Sequence, residues 1–192
     1  MTARHFLSID DLTSEELDAL LVDAEGVKAT PASWGERLAD RQVALIFEKP
    51  SARTRVSFEV AVTSMGGHAI VMRDEEIQLG RRETFEDAAR VFSRYVDAIV
   101  LRTFGQDRLE RLASAASVPV VNALSDSEHP CQVLADLLTV KEAKGDLKGV
   151  SLAYIGDGNN VAHSLLLAGG KLGMDVRVAC PKGFEPFPQI VD

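Results

Sequence analysis

VALIFEKPSARTRVSFE, residues 43–59, changes character twice within a short span. It opens on an unbroken apolar run, Val43–Phe47, the pattern of a strand buried on both faces. Pro50 interrupts the run, and Ser51 then stands where a helix beginning near residue 52 needs its cap. Beyond it Phe58, Ala61, Val62 and Met65 recur at helical spacing. The stretch therefore reads as strand, turn and helix, the opening of a βα unit.

The same stretch packs Ser51, Arg53, Thr54 and Arg55 into five residues. A helix N-terminus carries backbone N–H groups without intrahelical partners and is an anion site by itself. Arg53, in the first turn, can swing forward to such an anion. Arg55 points to another side and is better placed to pair with Glu59 at i+4. A single arginine here reads as a solvated charge; Ser-x-Arg-Thr-Arg after a buried strand reads as a phosphate site.

Working outward, short β-branched runs recur at 68–72, 98–101, 118–123, 150–155 and 175–180. Amphipathic segments separate them, with Phe85, Ala88, Ala89 and Phe92, then Leu109, Leu112, Ala113 and Ala116, at helical spacing. Thr13 with Glu16 forms a capping box ahead of Leu17, Leu20 and Leu21. Strand–helix alternation of this kind implies an α/β fold, a parallel sheet with helices on both faces. Gly145 and Gly149 punctuate the end of a helix spanning about 131–144, which places a domain boundary there: 1–148, then 149–192. The second part holds one βαβ unit, and the chain reads as cut short, with the later strands of that domain missing.

Polar clusters fall at the carboxyl ends of these runs, where open parallel sheets bind ligands. Ser51–Arg55 follows Phe47, Arg102 follows Leu101, SDSEHPCQ follows Ala123, and GDGNN follows Ile155. The first three are expected to share one rim and the fourth to face them from the second domain. In EHPCQ, 128–132, Pro130 suits the first turn of a helix, which puts His129 at its mouth and Gln132 within that turn. Such a histidine can donate to a carbonyl oxygen and such a glutamine can accept from an amide. Alone, His129 reads first as a capping or core histidine. Cys131 has no base at readable spacing and reads as a small packing residue. Gly156-x-Gly158 continues to Val161 where a dinucleotide fingerprint needs glycine, and the next strand ends in Cys180 and Pro181 with no ribose-binding acid, so a nicotinamide oxidoreductase fits poorly. His163 and Ser164 fall within the following helix and read as structural.

Composition narrows the classes. The 192 residues are 46% hydrophobic with a net charge of −8, which suits a packed domain and argues against general nucleic-acid or anionic-membrane binding. No apolar run approaches the roughly 20 residues of a membrane helix, and the N-terminus lacks a secretory h-region. Two cysteines, Cys131 and Cys180, build neither a disulfide framework nor a metal site. A cytoplasmic protein without metal or cofactor is expected.

SARTR at 51–55, HPCQ at 129–132 and GDGNN at 156–160, in this order, resemble the aspartate/ornithine carbamoyltransferase superfamily over the whole chain, and GDGNN resembles its ornithine branch. The resemblance implies an N-terminal carbamoyl phosphate domain, a C-terminal amino-acid domain and a trimer of identical subunits. It implies transfer of the carbamoyl group from carbamoyl phosphate to the δ-amine of L-ornithine, giving citrulline and phosphate for arginine biosynthesis. Ser51, Arg53, Thr54 and Arg102 would hold the phosphate, with the Ala52 backbone N–H beside them. Thr54, Arg102 and His129 would polarise the carbamoyl oxygen, Gln132 would grip the carbamoyl amide, and Asn160 would contact ornithine. Arg53, Arg102 and His129 would carry catalysis. DEEIQLGRRE, 74–83, matches the loop that completes a neighbour's site, with Gln78 entering it.

Two departures stand out. Ala52 replaces the family's threonine, which removes one hydroxyl and predicts weaker phosphate binding. The family's His-Cys-Leu-Pro segment occurs nowhere in the sequence, and Ser-Met-Gly occurs only at 64–66, within the first domain and not as the amino-acid domain's loop, which predicts impaired turnover. A carbamoyltransferase for a related amine, or a non-catalytic anion-binding or oligomerisation module of the same fold, are the alternatives. Titration with carbamoyl phosphate and then ornithine separates them.

Overall fold

The computed structural model describes residues 3–191. In chain order its main elements are α1 (Ser14–Ala29), β1 (Gln42–Phe47), α2 (Ala52–Ser64), β2 (His68–Arg73), α3 (Asp74–Ile77), α4 (Phe85–Phe92), β3 (Ala98–Arg102), α5 (Gln106–Ala115), β4 (Val120–Leu124), α6 (Pro130–Lys144), β5 (Ser151–Ile155), α7 (Asn160–Lys171), β6 (Asp175–Ala179) and α8 (Pro188–Val191). They divide into two compact units. The first joins the N-terminal residues through Leu7 to Val27–Ser125; the second joins Ser8–Gly26 to the residues from Asp126 onward.

The first unit is built on a four-stranded parallel sheet in the order β2-β1-β3-β4. The unbroken apolar run of β1 is explained by its two faces. Ala44 and Ile46, with Ile99 and Leu101 of β3, join a core closed by Phe85 of α4 and by Leu109 and Leu112 of α5. Val43, Leu45 and Phe47 join Val100 and Ala123 in a second core closed by Val62 of α2. Because side chains alternate along a strand, only a sheet covered on both sides makes every position apolar. Phe6 adds a short parallel bridge to Val121, which shields the outer edge of β4.

One irregularity sits at the site. Leu101 pairs with Asn122 but Arg102 pairs with Leu124, so β4 carries an extra residue, Ala123, between the two rungs. Such a bulge bends its strand and re-aims the side chains beside it.

In the second unit β5 and β6 pair in parallel, with α7 packed through Ala162, Leu165 and Ala168. A Cβ at Gly169 would overlap Val176 of β6, so glycine permits the close approach of helix and strand here. The strand positions are confirmed to within two residues, but burial on both faces fails for this pair. Leu152 and Tyr154 are half-buried while Ser151, Ala153 and Ile155 are exposed, Ile155 at 86%. Among the described residues this sheet has a helix on one face only. The capping box at the start of α1 forms as expected: Thr13 N–H donates to Glu16 Oε2 at 3.0 Å and Glu16 N–H to Thr13 Oγ1 at 3.2 Å. Of its apolar stripe Leu17 and Leu21 are buried, whereas Leu20 is 40% exposed.

Candidate functional site

In the first unit β1, β3 and β4 are parallel and in register at Phe47, Arg102 and Leu124, so their carboxyl ends share one edge. On that edge α2 begins where the sequence placed it. Ser51 has extended backbone and accepts from Thr54 N–H at 3.3 Å, the geometry of an N-cap. Its hydroxyl also donates to Thr54 Oγ1 at 2.9 Å.

Arg102, at the end of β3, reaches the same hydroxyl: its Nη1 donates to Thr54 Oγ1 at 3.4 Å. Ser51, Thr54 and Arg102 are thus brought together. The guanidinium Nε is buried and has no hydrogen-bond partner among the described residues. Burial also lowers the Arg102 pKa, since the charged form loses hydration. A partly desolvated cation with one long contact to a hydroxyl and an idle buried donor has the chemistry to receive an anion.

Arg53 is exposed in the first turn of α2, and its guanidinium has no ion-pair or hydrogen-bond partner among the described residues. Arg55 pairs with Glu59 at 3.5 Å, which matches its structural role. Ala52 is exposed and, with Ser51, Arg55 and Arg73, lines a cavity of about 350 Å³. The segment 74–83, expected as a loop, begins instead with the helical turn α3, because Glu76 accepts from Arg73 N–H at 2.7 Å and starts a helix. Gln78 ends that turn in the left-handed region, φ 53°, with Nε2 donating to Glu75 O at 3.4 Å.

In the second unit Pro130 is the first residue of α6 and His129 its N-cap, as the sequence implied. Gln132 lies in the first turn and donates to Asp136 Oδ1 at 2.9 Å. His129 N–H donates to Ser164 Oγ at 3.0 Å, and Ser164 donates in turn to Glu128 at 3.1 Å. Glu128 also accepts from Ile9 N–H at 3.1 Å, and burial pushes its pKa above the usual carboxyl range. Asn159 caps α7 by accepting from the N–H groups of Val161 and Ala162, and Asn160 is the first helical residue. His163 is buried; its Nε2 accepts from Phe187 N–H at 3.0 Å, which leaves Nδ1–H to donate to Ser127 O at 2.8 Å. Its structural reading holds, as does that of Cys131, whose enclosed thiol burial pushes up to about 12.

Sequence reasoning missed Glu48. It follows β1 directly and is buried, with Thr103 Oγ1 and, at 3.0 Å, Arg108 Nη1 donating to its carboxyl. The available signal was an acid placed directly between an apolar strand and a phosphate-like turn. Ser164 as the partner of His129, and Glu128 as the partner of Ser164, were also missed, since nothing in their spacing links them.

Comparison with known proteins agrees with this arrangement. A model described as aspartate/ornithine carbamoyltransferase, carbamoyl-P binding domain, matches residues 4–142. Its companion, the Asp/Orn binding domain, matches residues 148–192. The chain is 62% identical over 196 residues to an ornithine carbamoyltransferase of Parafrankia sp. (strain EAN1pec), covering 100% of this chain and 61% of that protein. Its fold superposes on the ornithine carbamoyltransferase of Pyrococcus furiosus with a TM-score of 0.96 at 49% identity, covering 99% of this chain and 61% of that one. For the Thermus thermophilus enzyme the TM-score is 0.94 at 46% identity, covering 100% and 66%. The chain spans about three fifths of the length of the curated relatives it matches. With both domain models matched in order over 4–142 and 148–192, this chain belongs to the aspartate/ornithine carbamoyltransferase family.

Proposed function

We propose that this chain supplies the carbamoyl phosphate half, residues 1–148, and the first part of the ornithine half, residues 149–192, of an ornithine carbamoyltransferase. The observation that carries the reading is the incomplete Arg102 guanidinium, buried at Nε and reaching Thr54 beside the open start of α2. In this reading Ser51, Arg53, Thr54 and Arg102 hold the phosphate, and the Ala52 N–H adds a backbone donor. Thr54, Arg102 and His129 polarise the carbamoyl oxygen, Gln132 receives the amide, and Asn160 meets the amino acid. Gln78 serves an adjacent subunit in a trimer.

The neutral δ-amine of ornithine attacks the carbamoyl carbon. The carbonyl electrons move onto oxygen, where donors stabilise the growing charge by about 3–4 kcal/mol each. The tetrahedral species collapses with cleavage of the carbon–oxygen bond to phosphate, and the proton from the attacking amine passes to the departing phosphate oxygen. Phosphate leaves as a dianion held by guanidinium and helix N-terminus. Cytoplasmic arginine biosynthesis is the corresponding role.

Titration calorimetry tests the reading. The chain is expected to bind carbamoyl phosphate, and Arg102→Met and Arg53→Ala are each expected to weaken that binding about 10-fold or more, from about 1.5–3 kcal/mol per charged hydrogen bond. Undiminished binding by both variants would refute the assigned site.

A further inference from the structure

We propose that Glu48 is a positioning residue of the anion site, holding the turn that delivers Ser51 to the strand end that delivers Arg102. The inference rests on the carbamoyl phosphate reading and extends it to a residue that touches no substrate.

The argument begins with connectivity. Glu48 is the first residue after β1, three before the cap of α2. Its backbone N–H donates to Arg102 O at 2.9 Å, which continues the β1–β3 ladder one step past the strand end. Its side chain then turns to the same neighbour. One carboxyl oxygen accepts from Thr103 Oγ1, the residue directly after Arg102, and the other pairs with Arg108 Nη1 of α5 at 3.0 Å. Thr103 is fully buried and is itself anchored, its N–H donating to Leu124 O at 2.9 Å.

Three pieces of chain therefore meet on one carboxyl: the turn before α2, the end of β3 and the first turns of α5. The Glu48 side chain is 3% exposed and that of Arg108 40%, so the pair is shielded on the acidic side only. A buried carboxyl satisfied by a hydroxyl and a guanidinium is costly to disturb, because removing one partner leaves the other unpaired. The bulge beside Arg102 makes this clamp matter. The β4 register shifts by one residue there, and the Glu48 side-chain contacts add a constraint on the end of β3 beyond its backbone bonds.

The test uses the 192-residue chain, inorganic phosphate and carbamoyl phosphate as probes, and amide hydrogen exchange without ligand. Glu48→Gln keeps an acceptor for Thr103 but removes the charge facing Arg108. It is expected to weaken binding of both anions about 10-fold and to speed exchange in the peptide covering 45–55, with exchange in 151–179 unchanged. Arg108→Met is expected to weaken binding about 3-fold, and the double variant to be no worse than Glu48→Gln alone, since both act through one contact. If Glu48→Gln does not fold, Arg108→Met, at a half-exposed side chain, carries the test. Wild-type binding that the variants match, or unaltered exchange at 45–55, overturns this inference alone. A wild-type chain that binds neither anion overturns the carbamoyl phosphate reading and this inference with it.

Discussion

At the scale of single residues, the chemistry depends on where charge is left uncompensated. Several arginines of the first unit are paired with acids: Arg41 with Asp97, Arg55 with Glu59, Arg90 with Asp87, Arg108 with Glu48, Arg111 with Glu86. Among the described residues Arg102 and Arg53 have no such acid partner, and both lie at the start of α2. Cys131 shows the opposite case, a reactive group made inert. With its pKa pushed up to about 12 by burial, roughly one thiol in 10⁴ is ionised at pH 8, and the thiolate is the nucleophile. Iodoacetamide at pH 8 is expected to leave Cys131 unmodified in the folded chain and to modify it once the chain is unfolded in urea. Peptide mass mapping checks this, and rapid labelling of the native protein would refute it.

At the scale of elements, the sequence made some features readable and hid others. Local signals worked. The run Val43–Phe47, the cap at Ser51 and the Pro130 start of α6 each depend on neighbours a few residues away, and each appears within a residue of its expected place. Partnerships across the fold were not readable. Glu48 meets Thr103 across 55 residues of sequence, and the bulge at Leu101 and Arg102 depends on the register of another strand. Exposure of β5 was misjudged because a β-branched run does not say whether one face or two are covered. The doubly covered sheet makes its own prediction. Leu45 is fully buried in the core that α2 closes, so Leu45→Ala is expected to cost about 2–5 kcal/mol. Chemical denaturation measures this; a loss below 1 kcal/mol would mean that the face is not packed as described.

At the scale of the whole molecule, acid acts on the two units through carboxyls of opposite character. Asp97 in the first unit is held below its usual range by Gln42 N–H and then by Arg41. Its folded pKa lies below the unfolded one, so it stabilises above the ordinary carboxyl range and that contribution is lost as pH falls. Glu128 in the second unit is raised, chiefly by desolvation. Its folded state holds the proton more tightly, so stability falls as pH rises from the ordinary carboxyl range through the raised value. Glu128→Gln removes that loss. Thermal unfolding from pH 4 to 7.5 should show the variant gaining on the wild type as pH increases, and parallel curves would contradict the assignment.

The offset rung in the first unit gives Ala123 an importance that its small side chain conceals. Deleting this one alanine would bring β4 back into step and turn the residues after it toward the opposite face. The facing of the β4 residues that follow, beside Arg102, is therefore set by a residue with almost no side chain, and a survey of substitutions confined to charged positions at this edge would overlook it.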